Sequence, residues 1–251
     1  MTTLFVGHGS PMHAIQDGVW PRAWAKLGRD LPRQRAILCI SAHWYVPGSF
    51  VCALEQPPTI HDFGGFPPEL YEIQYPAPGS PELANRVAAL TGARAVRDWG
   101  LDHGTWSVLR HMYPKADVPV VQLSIDSRLR PNQHLELGAK LKPLAAEGVL
   151  VMGSGNITHN LRDAFKAMQT SETATPKWAS DFDREAAEAL DRNDHQHLAE
   201  MLNTPNGQQN HPTPDHYIPL LYAAAASQNK PTYPAKGFDL SSLSMRCVRW
   251  D

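Results

Sequence analysis

The chain has 251 residues, with 23 Lys and Arg against 25 Asp and Glu, a formal net charge of −2 and 42% hydrophobic residues. This balance gives no electrostatic ground for nucleic acid or an acidic membrane surface as partner, and points instead to a small molecule. No apolar run approaches the ~18 residues of a membrane span, and the first residues lack the basic and apolar regions of a signal peptide, so a cytoplasmic protein is expected.

Short apolar runs alternate with helical patterns along the chain. That pattern predicts an α/β fold, one domain over 1–251 with a central, mostly parallel or mixed sheet flanked by helices. The first run, Leu4 to Val6, ends in Gly-His-Gly-Ser-Pro, and the second, Ala36 to Ile40, ends in Ser-Ala-His-Trp. Residues 55–80 are dense in Pro, Gly and aromatics, a composition that resists regular structure and marks a functional loop. Ser80 followed by Pro81 reads as a helix N-cap and first turn, with the helix running to Leu90. A helix over Trp106 to Tyr113 precedes a β-branched strand over Val118 to Ile125. Next come a helix over His134 to Ala146 and a strand over Val149 to Met152 that runs into Gly-Ser-Gly-Asn. Another helix covers Trp178 to Leu190. The last opens at Thr213-Pro214-Asp215-His216 and continues to about Ala226. Leu243 to Trp250 alternates apolar and polar residues, as a half-buried or edge strand does. The three cysteines, Cys39, Cys52 and Cys247, have no metal-like spacing and read as small buried hydrophobes.

The chemistry resides in the histidines, of which there are 12. His8, His43 and His159 each follow an expected strand at its carboxyl end, where the strand-to-helix loops of an α/β sheet converge on ligands. Gly7 and Gly9 around His8, and Gly153 and Gly155 before His159, permit close backbone approach. His216 joins from a helix start loosened by Pro219, which has no N–H for the Asp215 carbonyl. Any one of these histidines reads equally as a hydrogen-bonded core or surface residue, but imidazoles from several distant segments at one sheet edge also suit a metal site. Asp102 beside His103 reads either as a carboxylate fixing the imidazole tautomer or as a helix N-cap. His61, in the aromatic loop, is a pocket candidate, as are Trp44 and Phe63. His195 and His197 lie in a polar stretch and read as solvated, while His13, His111 and His134 carry no expected role. On pattern alone, a redox oxygenase, a zinc hydrolase and a closed, non-catalytic metal site all remain open.

Gly7-His-Gly-Ser-Pro11, Ser41-Ala-His-Trp44, Ile60-His-Asp-Phe-Gly-Gly-Phe-Pro67, Asp102-His-Gly-Thr-Trp106, Gly155-Asn-Ile-Thr-His-Asn160 and His211-Pro-Thr-Pro-Asp-His-Tyr217 together resemble the bacterial 4,5-DOPA extradiol dioxygenase family. That family belongs to the class III extradiol ring-cleaving dioxygenases. The likeness spans nearly the whole chain and is thinnest over 165–210. It implies a mononuclear Fe(II) in the active form, with Zn(II) a possible occupant of the isolated protein. It also implies His8, His43 and His216 as metal ligands, with His159 an acid–base residue able to join them. His103 matches the second acid–base histidine. The expected substrates are a catechol such as L-DOPA and O2, opened to a muconic semialdehyde by a monomer or small homo-oligomer. One departure stands out: the wider class pairs two histidines with a carboxylate, whereas this chain offers His216 with Asp215 beside it.

Overall fold

The computed structural model describes residues 2–170, 173–227 and 229–251. Its strands are β1 (Thr3–Gly7), β2 (Ala36–Val46), β3 (Phe50–Cys52), β4 (Arg94–Val96), β5 (Val120–Asp126), β6 (Val149–Gly155), β7 (Pro231–Ala235), β8 (Phe238–Asp239), β9 (Leu243–Ser244) and β10 (Cys247–Trp250). Eight of them form one sheet in the order β4-β3-β5-β2-β6-β1-β10-β7, and β8 pairs with β9. The central strands β5, β2, β6 and β1 run parallel, while β3 opposes β5 and β10 opposes both β1 and β7. This is the expected α/β class, with a mixed sheet built around a parallel centre.

The continuous apolar runs are buried on both faces, as parallel strands covered by helices must be. In β2, Ile37 and Cys39 enter one core with Trp24, Leu27, Trp106 and Leu109, whereas Leu38 and Ile40 enter the opposite core with Leu83, Val87, Leu144 and Tyr222. Successive side chains of a strand point to opposite faces, so one run supplies both cores. Helices Val19–Asp30 and His103–Met112 cover the first face; Pro81–Thr91, Pro131–Lys140 and Ile218–Ala226 cover the second. All three cysteines are buried and free, as read from their spacing.

Several boundaries differ from expectation for identifiable reasons. Ser80 does cap its helix, accepting from the Leu83 N–H at 3.2 Å. The helix expected over His134 to Ala146 is two helices, Pro131–Lys140 and Lys142–Ala146. Pro143 cannot donate to the Ala139 carbonyl, and its ring crowds that oxygen. The segment Leu243 to Trp250 is also two pieces, and β10 is no edge strand but lies between β1 and β7. His195 and His197 are half-buried on the helix His195–Met201 rather than solvated, and the His197 ring sits 2.9 Å from Glu185.

His134 is fully buried, its Nδ1 3.1 Å from the Tyr222 hydroxyl, and burial pushes its pKa down to about 4. A histidine whose folded pKa lies below its unfolded value stabilises the fold above pH ~6.5, and that contribution is lost as pH falls toward the folded value. Between pH 7 and pH 5 this one ring accounts for about 2 kcal/mol. His134→Gln is therefore expected to flatten the pH dependence of urea unfolding by that amount over the same interval. An unchanged slope would mean that His134 is already charged in the folded protein at pH 5.

Candidate metal centre

Three neighbouring parallel strands, β2, β6 and β1, deliver histidines to one edge of the sheet. His8 directly follows β1, and its N–H donates to the Gly155 carbonyl at 3.0 Å. His43 lies within β2 rather than after it, where the register against β5 shifts between Ile40 and Tyr45. That irregularity carries the strand past its expected end at Ile40. His159 follows β6 by four residues, and its N–H donates to the Asn210 carbonyl at 3.2 Å.

His216 is not in a helix. The helix begins at Ile218, and residues 215–217 form a turn. Pro219 leaves the Asp215 carbonyl without its helical donor, and the next carbonyl, that of His216, accepts from the Asn156 N–H at 2.9 Å. Gly155 makes this docking possible, since a Cβ there would lie 2.1 Å from the His216 oxygen. His103 opens its helix directly after Asp102, and Gly104 behind it clears room for His43, whose Cδ2 would sit 2.9 Å from a Cβ at that position.

Five imidazoles meet in this way. Ring centroids separate His8 from His43, His216 and His103 by 5.0, 5.2 and 5.6 Å, and His43 from His103 by 3.9 Å. His159 stacks flat on His216 at 3.5 Å, 4° from parallel. His8, His43 and His103 present ring nitrogens that all lie within 4.8 Å of one another. All the histidines expected at the site are thus brought together, and the tightest trio contains His103 where the sequence reading had placed His216.

The hydrogen bonds assign the tautomers. The Ser154 hydroxyl donates to the Gly104 carbonyl at 2.5 Å, so its oxygen accepts from His8 Nδ1–H at 3.0 Å. His216 Nδ1–H donates to Asp215 at 2.5 Å. Asp62 lies 3.0 Å from His103 Nδ1 and 3.2 Å from His43 Nδ1. Three rings, His8, His103 and His216, are thereby held at Nδ1 by an oxygen, and Asp62 also faces Nδ1 of His43, leaving Nε2 for an ion, the arrangement by which proteins orient metal-binding histidines. His8 Nε2 and His43 Nε2 face each other at 3.1 Å. Two imidazole nitrogens this close share either a proton or a cation. Two nitrogens sharing one ion at ~2.0–2.1 Å each lie about 2.8–3.4 Å apart. The donor set fits a metal of the imidazole-binding kind.

The electrostatics agree. Burial, then the neighbouring imidazoles, hold His8 and His216 well below the usual histidine range. His43 is pushed down to about 3 by burial and the His103 ring, against the pull of Asp62, and His159 to about 4 by burial and His211. Neutral imidazoles need shed no proton to ligate. Burial alone would raise Asp62, but the hydrogen bond and charge of His103, with His43 beside it, keep it low and ionised. His43 and His159 are half-buried, so the cluster opens to solvent on their side.

Beside the cluster stands an aromatic wall. Phe63 lies edge-on to His103 at 5.4 Å and packs against Phe66, Tyr71 and Trp106. His61 stands one layer back, its Nε2 donating to the Ile73 carbonyl at 3.0 Å, with its ring against Phe63 and Trp106. Trp44 is not brought to the wall; it is buried and stacked on Trp99 at 5.0 Å, because strand alternation parts it from His43.

Asp102 does not hold His103. Its carboxylate caps the helix, accepting from the Thr105 N–H at 3.2 Å, and also accepts from Ser41 and Gln122, each at 2.7 Å. An N-cap side chain folds over its own helix turn and away from the next residue's ring. The carboxylate on His103 is that of Asp62, which sequence reasoning passed over, as it did Ser154. Asp62 sits inside the quoted aromatic motif, but nothing local joined it to a histidine 41 positions away.

Residues 3–245 match the family described as the catalytic LigB subunit of aromatic ring-opening dioxygenase. The chain is 45% identical to the 4,5-DOPA dioxygenase extradiol of Escherichia coli K12, over 99% of this chain and 94% of that protein. Against the protein of that name from Beta vulgaris, identity is 40% over 90% and 86%. The crystal structure of an uncharacterized Escherichia coli K12 protein superposes with a TM-score of 0.83 at 38% identity, covering both chains in full. The chain belongs to the family of the catalytic LigB subunit of aromatic ring-opening dioxygenases, and it is an extradiol ring-opening enzyme.

Proposed function

We propose that the protein opens the ring of a catechol such as L-DOPA with O2, using Fe(II) held by His8, His43 and His216, with His159 beside it. The observation that carries this reading is the facing pair of His8 and His43 Nε2 atoms at 3.1 Å, within a set of rings anchored at Nδ1. Names borne by the relatives supply the substrate class. Bound iron would anchor the catechol oxygens and supply the redox chemistry with O2, which Zn(II) cannot.

The chain's own groups do the rest. His159, neutral because burial keeps its pKa at about 4, accepts a proton from a catechol hydroxyl at a ring nitrogen. His103, with Nδ1 committed to Asp62, offers Nε2 as a second proton-transfer atom. Phe63 lines the side next to His103 and provides a flat apolar surface for the aromatic ring. Proton transfer later in the reaction, toward the muconic semialdehyde, falls to the same two histidines. Help of this kind contributes ~10²–10⁴-fold.

Anaerobic loading of the metal-free protein with Fe(II) or Zn(II), followed by air and L-DOPA, tests the reading. Oxygen uptake matched by a yellow product is expected with iron and not with zinc. No uptake with iron on L-DOPA or a simple catechol would overturn it and favour hydrolysis at a zinc centre.

A further inference from the structure

Asp62 accepts both N–H groups of His103 and stands within ion-pair distance of His43. Its Oδ1 accepts from the His103 backbone N–H at 2.8 Å, and its Oδ2 lies 3.0 Å from His103 Nδ1 and 3.2 Å from His43 Nδ1. Ionised carboxylate is acceptor-only and meets several donors at once, whereas an amide offers one accepting oxygen and brings two donors of its own. The residue comes from the segment of residues 55–80, which is tied at two further points, to the helix His103–Met112 and to Leu101 just before it. Trp106 Nε1–H donates to the Ile60 carbonyl at 2.8 Å, and the Ile60 N–H donates to the Leu101 carbonyl at 2.7 Å. The loop thereby carries both the Phe63 wall and the carboxylate between two histidines of the cluster.

From this convergence we infer that Asp62 is a positioning residue that sets His43 and His103 in the same Nδ1–H tautomer, so that one carboxylate directs a metal ligand and the pocket histidine together. The inference rests on the metal-binding reading above and deepens it. Its consequence is that the His103 lone pair is at Nε2, the same atom that His43 turns toward His8. The two rings are therefore not independent, because one carboxylate oxygen faces both. Asn at position 62 that keeps the fixed His103 backbone N–H on its oxygen puts its amide NH2 where both rings now face Oδ2, and turns them to the Nε2–H form, which cannot bind metal through Nε2.

Two measurements test this. Long-range 1H–15N correlation spectra of the Zn(II)-loaded protein, 15N-labelled at histidine, read each tautomer in the unaltered chain. Both His43 and His103 are expected as Nδ1–H, and an Nε2–H assignment for either overturns the inference. Chelator competition with Zn(II) then compares Asp62→Asn with Phe66→Ala, which loosens the same loop by removing the ring packed on Phe63. Asp62→Asn is expected to weaken zinc binding about 10–100-fold, and Phe66→Ala to change it by less than about twofold. Equal losses in the two variants would assign Asp62 a merely structural part and overturn the proposal, as would wild-type affinity in Asp62→Asn. Should Asp62→Asn fail to fold, the tautomers of the unaltered chain decide alone. Unaltered protein that binds no zinc overturns the metal reading and this inference together. Zinc binding that is insensitive to Asp62 overturns the inference alone.

Discussion

His159→Ala is expected to lower turnover about 10²–10⁴-fold while the protein retains most of its metal. Its ring lies flat on His216 at 3.5 Å, so it borders the centre without sharing the anchoring of the other rings. His8, His103 and His216 are each fixed at Nδ1 by Ser154, Asp62 or Asp215, and His43 faces Asp62, whereas the His159 ring bonds only its own backbone and stacks on His216. A ring held that way can swing to a substrate hydroxyl, as a proton acceptor must. Burial and His211 keep it neutral, so the accepting nitrogen is ready at neutral pH. The check is kcat, KM and metal content measured on the same preparation. Metal lost together with activity would make His159 a principal ligand instead.

Gly155→Val is expected to abolish tight metal binding and to cost about 1–3 kcal/mol of stability or more. The first added carbon would lie 2.1 Å from the His216 oxygen and 3.3 Å from Pro219 Cγ. The backbone of His216 cannot yield in place, because its carbonyl is bonded to the Asn156 N–H. It must therefore lift from the sheet edge, and Nε2 leaves with it. Functional groups have to be held within about 0.5 Å of their working geometry, so this displacement is enough to dismantle the centre. Urea unfolding and zinc titration of the same variant measure both effects. Full zinc affinity in folded Gly155→Val would remove His216 from the site.

The parallel centre of the sheet was legible because its strands are buried on both faces and so are written as unbroken apolar runs. Strand ends were legible to the extent that turn residues follow them. Val149 to Met152 was read short because Gly153 and Gly155, taken as turn residues, continue β6 as places where the 213–219 segment packs. The last strand was read as half-buried or an edge, and the sheet order excludes the edge, because alternation reports one polar face and not a missing neighbour. Pro143 and Pro219 were visible in the sequence, and each marks a place where the expected helix breaks or starts late.

At the centre, the sequence by itself singled out the five histidines that the fold brings together, since each follows or interrupts a recognisable element, and glycine adjoins His8 and His103. Their family resemblance also lies in contiguous motifs, which need no fold to be read. What the tertiary structure decided was the partner of each ring. Sequence proximity left Asp102 either holding His103 or capping its helix; the fold makes it the cap, and the carboxylate on His103 comes from Asp62. Ser154, buried in β6, holds His8 across 146 positions. Trp44, adjacent to His43 in the chain, belongs with Trp99 instead. A hydrogen bond is a relation of distance and direction in space, and the chain's order constrains these only within one element. Residue chemistry is therefore carried by the sequence, while the tautomer and direction of each imidazole are set by where the sheet and its loops bring oxygen atoms.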